Sequence, residues 1–263
     1  MPLFVLRYNA TSMTRAGIER ASLSDVGCQR ENNEDRTSYW EPASDEEFAR
    51  KGRLAIVADG MGGYEGGQEA SRIAVETIEE VYGQGAEGDP AAWLEAGFRA
   101  AHERILEHAR QHPELHGMGT TATAAAIQDS NLYFAHVGDS RLYLVRGGEI
   151  SRLTHDHSYV GRLVENGVIS SAEAEEHPQR HILTAALGAG SEVIPELQES
   201  PIALRKADAL LLCTDGLWGL VSDGEIQTEV ASAPPMEACR RLVESARKRG
   251  GPDNITVQVL RLR

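Results

Sequence analysis

Leu54-Ala55-Ile56-Val57-Ala58-Asp59-Gly60 is a short apolar run closed by an acid and a glycine. Runs of this kind, bounded by turn residues, predict buried strands. Two other stretches repeat the arrangement: Phe134-Ala135-His136-Val137-Gly138-Asp139 and Ala209-Leu210-Leu211-Leu212-Cys213-Thr214-Asp215-Gly216. If the three strands share one sheet, three carboxylates meet at one edge of an apolar core. Carboxylates crowded out of water repel one another and lose hydration unless they are paired or hold a cation. The pattern asks for hard cations, and with them a hydrolytic site.

Outward from this strand, residues 18–26 and 36–40 read as strands and 41–50 as a polar loop. Asp59 leads into Gly60-Met61-Gly62-Gly63-Tyr64-Glu65-Gly66-Gly67, after which Ala70, Ile73, Ala74, Thr77, Ile78 and Val81 recur at helical spacing. Asp89-Pro90 opens a second helix as N-cap and first residue, with Leu94, Phe98, Ala101, Ile105 and Ala109 as its apolar stripe. Strands follow at 121–127, 132–137 and 141–145, separated by the turn signals Asp129-Ser130-Asn131 and Arg146-Gly147-Gly148. Residues 155–201 are more polar. Ser170 with Glu173, and Ser222 with Glu225, have the spacing of capping boxes. Residues 235–248 predict a helix stopped by Gly250-Gly251, and 255–262 a last strand. Helices come in pairs between blocks of strands, which favours a layered α+β architecture over a doubly wound parallel sheet.

The 263 residues carry a formal net charge of -14, which argues against broad nucleic-acid binding through phosphate neutralisation. Cys28, Cys213 and Cys239 are too few and too scattered for a disulfide framework or zinc knuckle, so a reducing cytoplasm is expected. The apolar patch Leu3-Phe4-Val5-Leu6 is too short for a signal peptide or a membrane span. Residues 1–17 read as a leader of unknown role. Asn9-Ala10-Thr11 matches a glycosylation acceptor only as chance triplets do.

The glycine-rich loop fails as a nucleotide site. A dinucleotide fingerprint from Gly60 needs glycine at Glu65, and a phosphate loop needs Lys and Ser/Thr where Gln68 and Glu69 stand. No acidic ladder of the EF-hand type is present. His155, His157, His177 and His181 lie in the polar stretch, without the fixed spacing of a zinc site, and read as solvated surface groups away from the strand-end acids. Each Asp-Gly alone is an ordinary turn, but the acids accumulate. Asp253 precedes the last strand and Glu34-Asp35 the second. Arg30 stands just before that pair, where an arginine beside an acidic cluster suits a phosphate oxyanion.

With these residues in place, the chain resembles the type 2C metal-dependent serine/threonine protein phosphatases in their compact bacterial form. The resemblance rests on SDVGCQRENNEDR (24–36), VADGMGG (57–63), GTTATAA (119–125), HVGDSRLY (136–143), LTHDHS (153–158), LTAALGA (183–189), CTDGLWG (213–219) and GPDNITV (251–257), which occur in the family's order. It implies one catalytic domain over 18–263, a four-layer αββα sandwich of two antiparallel sheets flanked by helix pairs. It also implies a flap over about 158–183. By motif, Asp59 bridges two ions, Gly60 offers its carbonyl, and Asp215 and Asp253 hold one ion. Glu34 reaches the other through water, and Asp35 positions waters. Asp139 with Asp215 holds a third, weaker ion, and Arg30 binds the substrate phosphate. All-oxygen ligands suit Mn²⁺ or Mg²⁺.

The implied activity is hydrolysis of phosphoserine and phosphothreonine in proteins by direct attack of a metal-bridging water. The implied setting is a cytoplasmic monomer opposing Hanks-type kinases, with no membrane span and no nucleic-acid partner. Two positions depart from the family pattern. Met61 stands where animal members often carry the histidine proposed as general acid, and Ala185 where relatives often carry arginine. A phosphoprotein-binding relative without catalysis would have lost a metal carboxylate, and none is lost here. A phosphatase of small esters or of an anti-sigma antagonist protein is the remaining alternative.

Overall fold

Period-two alternation sorts the side chains of the strand that holds Leu54. Leu54, Ile56 and Ala58 belong to a core shared with two long helices, whereas Ala55 and Val57 belong to a core shared with a second sheet. A strand buried on both faces reads as continuously apolar, which is why the run carries no polar residue.

The structure, a computed structural model, describes residues 15–63, 65–86, 89–198 and 200–263. In chain order the elements are β1 (Ile18–Asp25), β2 (Arg36–Trp40), α1 (Asp45–Lys51), β3 (Arg53–Ala58), β4 (Gly60–Met61), α2 (Gly66–Gln84) and α3 (Pro90–Gln111). There follow β5 (Gly119–Thr120), β6 (Ala122–Gln128), β7 (Asn131–Val137), β8 (Arg141–Arg146), β9 (Glu149–Arg152), α4 (Tyr159–Glu165) and α5 (Ser171–Glu175). The chain closes with β10 (Glu196–Leu197), β11 (Ile202–Ala203), β12 (Ala209–Cys213), α6 (Asp215–Trp218), α7 (Asp223–Ser232), α8 (Pro235–Lys248) and β13 (Ile255–Leu262). Most of the expected leader, with Leu3 to Leu6 and the Asn9 triplet, lies outside the described residues.

One sheet runs β1-β13-β12-β8-β9 and the other β10-β7-β6-β3-β2, with every pairing in both antiparallel. Their facing sides share a core that includes Val57, Phe134, Leu142, Leu210, Leu212 and Leu260. Helices α2 and α3 cover the outer face of the sheet that holds β3. On the opposite outer face, Ile226 and Val230 of α7 and Cys239, Leu242 and Val243 of α8 pack on Tyr143, Leu211 and Val257. The result is the expected four-layer αββα sandwich.

Caps fall where the sequence placed them. Asp89 accepts from Ala92 N–H ahead of Pro90, and both capping boxes form. Two expectations change. Residues 45–51 are a helix, not loop: Ser44 accepts the Glu47 N–H at 3.1 Å, and three acids in the first turn suit its positive end. The three strand-end aspartates do not share one sheet. Asp59 and Asp139 follow β3 and β7 in one, and Asp215 follows β12 in the other. Among the described residues no helix is long and apolar enough to cross a membrane.

Candidate active site

Both sheets end in acids at the same side of the sandwich, where one cleft is lined by Arg30, Glu34, Asp59, Gly60, Asp139, Asp215 and Asp253. The sheet containing β2, β3 and β7 supplies Glu34, Asp59 and Asp139, and the sheet containing β12 and β13 supplies Asp215 and Asp253. Asp35 lies beneath them, 5% exposed, and accepts the Thr214 hydroxyl on Oδ2 at 2.9 Å. Its Oδ1 and that of Asp215 are buried without a hydrogen-bond partner.

The loops that present these acids are tied by short polar side chains. Thr121 Oγ1 accepts the Asp59 N–H at 3.0 Å, and the Asp59 carbonyl takes the Thr121 N–H at 2.9 Å and the Thr120 hydroxyl at 2.8 Å. The same Thr121 hydroxyl pairs with Ser140 Oγ at 2.7 Å, which links the Asp59 and Asp139 loops. Asn254 Oδ1 takes the Glu34 N–H at 2.8 Å, and its amide donates to the carbonyls of Val26 and Asn32. Ser71, on α2, donates to the Glu34 carbonyl at 2.6 Å.

Glycine lets the first turn of α2 reach this point. A Cβ on Gly67 would lie 1.9 Å from Glu34 Oε2, and one on Gly60 would lie 2.0 Å from the Gly67 carbonyl oxygen. The glycine-rich loop thus serves close packing of a helix start against the acids, not phosphate binding.

Burial first, and then repulsion from neighbouring carboxylates, pushes Asp59 and Asp139 well above the usual carboxylate range. Asp215 moves the same way for the same reasons, and Asp35 is pushed up to about 7 by burial against its hydrogen bonds from Thr256 and Thr214. Glu34 is raised by burial, partly countered by Arg30. Protons are weak substitutes for what such a cluster favours. Converging carboxylate oxygens, two of them buried without partners, fit hard divalent cations.

Arg30 donates from Nη2 to Asp253 Oδ2 at 2.8 Å and remains about half exposed at the cleft. The polar stretch also reaches the site. Arg180, His181 and Leu183 line the cleft, so His181 is not the distant surface group expected from sequence. His155 does keep to the surface, with Nδ1 2.7 Å from Glu196 Oε1. Nearby, His136, His157 and Glu196 cluster closely enough to share an ion. Yet His136 Nε2 lies 2.9 and 3.1 Å from the carbonyl oxygens of Gly138 and His155, so that nitrogen carries the proton, and Nδ1 is engaged by the Thr123 hydroxyl at 2.8 Å.

Two antiparallel sheets with helices outside and an acid-lined cleft across their ends match the arrangement expected of a metal-dependent phosphatase. The chain belongs to the protein phosphatase 2C family, whose model matches residues 30–256. It is 40% identical over 239 residues to the serine/threonine protein phosphatase PstP of Mycobacterium tuberculosis, covering 91% of this chain and 44% of that protein. It therefore spans less than half the length of that relative. It is 35% identical over 257 residues to the protein phosphatase PhpP of Streptococcus pneumoniae, covering 92% of this chain and 97% of that one. The catalytic domain of PstP solved with 2 manganese ions superposes with a TM-score of 0.80 at 36% identity, over 94% of this chain and 98% of that one.

Proposed function

We propose that this chain is a divalent-metal-dependent phosphatase that hydrolyses phosphoserine and phosphothreonine monoesters in proteins. The observation that carries this is the convergence of Glu34, Asp59, Asp139, Asp215 and Asp253 from two sheets on one cleft, with Arg30 at its mouth. Asp59, Gly60, Asp215, Asp253 and Glu34 would hold two ions, and Asp139 with Asp215 a third and weaker one. When bound, Mn²⁺ or Mg²⁺ would acidify a water, orient it for in-line attack on phosphorus and offset charge on the phosphoryl oxygens.

The protein's own groups do the rest. Thr120 and Thr121 fix the backbone of Asp59, and Asn254 fixes that of Glu34, so these carboxylates start from a set geometry. Asp35, beneath the cleft, would accept hydrogen bonds from ordered water through its free Oδ1. Arg30 would turn its remaining N–H groups to two phosphate oxygens, a match that a guanidinium fork makes well. Met61 offers no proton, so protonation of the leaving alkoxide falls to water or to another group at the cleft.

Residues 18–263 would act as one catalytic domain, with the flap of about 158–183 placed beside the cleft to select among phosphoproteins. By resemblance to the family, the opposing enzymes are Hanks-type kinases and the setting is the cytoplasm. Hydrolysis of a phosphothreonine peptide should require Mn²⁺ or Mg²⁺, vanish with chelator, and be nearly abolished by Asp59→Asn or Asp215→Asn. Full activity in either variant would remove the metal assignment. Arg30→Ala should mainly raise KM, and an unchanged KM would remove the clamp.

A further inference from the structure

The chain around Asp139 is held by a closed ring of contacts. Gly138, at a φ of 110°, has no room for a side chain: a Cβ would lie 2.5 Å from the Thr121 side chain. Its carbonyl accepts the His157 N–H at 2.7 Å. The next carbonyl, that of Asp139 itself, accepts the Trp218 indole N–H at 2.9 Å. Both peptide units flanking the Asp139 side chain are therefore clamped.

The clamps have a common anchor. The Arg141 guanidinium lies over the Trp218 ring, 3.6 Å from its centroid. The same group donates to both carboxylate oxygens of Asp156, from Nε at 3.0 Å and from Nη2 at 2.6 Å. Nη1 donates to the Tyr143 hydroxyl at 3.1 Å. Asp156 takes a further donor from Arg152 at 3.2 Å and adjoins His157 in the chain. The circuit runs Asp156, Arg141, Trp218, Asp139, Gly138, His157 and back to Asp156. Both partners of the central ion pair are about nine-tenths buried. A buried ion pair is weak evidence for stability, because desolvation offsets most of the attraction. Its value lies in fixing geometry, which a bidentate, stacked arginine does better than lysine.

We propose that Arg141, Asp156 and Trp218 are positioning residues for Asp139, setting the affinity of the weakest ion rather than of the two core ions. This rests on the reading of Asp139 as a ligand of that ion. Trp218 donates to the backbone that carries the carboxylate, Arg141 holds the indole in place, and Asp156 holds Arg141.

The test is Mn²⁺ titration of the whole chain, followed by calorimetry and by the resonance of free Mn²⁺. Trp218→Phe keeps the aromatic face and deletes the donor, and Arg141→Lys keeps the charge and deletes the fork. Each should weaken the weakest site about tenfold, the size typical of partners that orient a metal ligand. The tighter sites should be unchanged, and excess Mn²⁺ should restore turnover in both variants. Asp139→Asn should remove the weakest site outright. Loss of that site in Asp139→Asn with wild-type binding in both Trp218→Phe and Arg141→Lys would overturn the positioning role alone. Equal weakening of every site would overturn it too, as the mark of general loosening. Unchanged binding in Asp139→Asn would overturn the ligand reading and the proposal with it.

Discussion

Asn254 joins Glu34 across 220 residues of chain by accepting its backbone N–H at 2.8 Å. The amide of the same side chain donates to Val26 and Asn32 at 3.0 and 2.9 Å. One buried residue thus holds the loop that carries Arg30 and Glu34 to the turn that carries Asp253.

Asn254→Ala would orphan one donor and two acceptors. Leaving a buried polar group unpaired costs about 1–3 kcal/mol, so the variant should melt several degrees lower and bind Mn²⁺ more weakly. Asn254→Asp keeps the acceptor, loses both donors and adds a charge to an acidic site. It should do no better than alanine, and thermal melting with and without Mn²⁺ would show it.

Asp59→Asn removes a charge that burial and four neighbouring acids disfavour. Without metal, this variant should melt higher than the parent protein. With Mn²⁺ the order should reverse if Asp59 is a ligand, because binding to the folded state would stabilise the parent protein more than a variant that binds the ion weakly. Melting curves across a Mn²⁺ series would test the crossing, and parallel curves would contradict it.

Gly67→Ala places a methyl group against Glu34 Oε2 at 1.9 Å and the Gly60 carbonyl carbon at 2.8 Å. The carboxylate tip can swing away and the Gly60 backbone cannot. The first turn of α2 must therefore shift from the Asp59 loop. Turnover should fall at least about tenfold, as small displacements of catalytic groups do, while the bulk of the secondary structure is kept. Steady-state kinetics beside circular dichroism would separate the two.

His136 gives a pH signature. Burial holds its pKa down at about 3, against an ordinary 6.5. The folded state keeps it neutral while the unfolded chain takes up a proton below pH 6.5. Its contribution is therefore complete above 6.5 and is lost as pH falls through that value toward 3. The slope is up to about 1.4 kcal/mol per pH unit. Denaturant unfolding at pH 7 and at pH 5 should show His136→Gln losing less stability than the parent across that interval.

The acids could be read from sequence because their chemistry is local. A buried strand ending in Asp-Gly is conspicuous wherever its partners lie, and Asp59, Asp139 and Asp215 each line the cleft. Which sheet each strand joins is not local. Strand β12 pairs with β8 and β13, while β3 pairs with β2 and β6, and nothing in their similar apolar runs distinguishes the two. The helix at Asp45–Lys51 carries a usable signal in Ser44 and Glu47, but its polarity resembles that of a loop. Thr121 and Asn254 were hidden because a threonine or asparagine beside a strand is ordinary until its distant partner is known. The place of His181 is equally non-local: the polar stretch folds back, with Tyr159 N–H bonded to the Ile182 carbonyl at 2.7 Å, and brings its far end to the cleft.

Acids hang from both sheets, so an ion held among them is a rivet through the sandwich. On the proposed reading, withdrawing it would do more than halt turnover, since the buried acids of the two sheets would be left to take up protons or repel one another across the cleft. Manganese scarcity would then leave the protein idle and also more open to proteases.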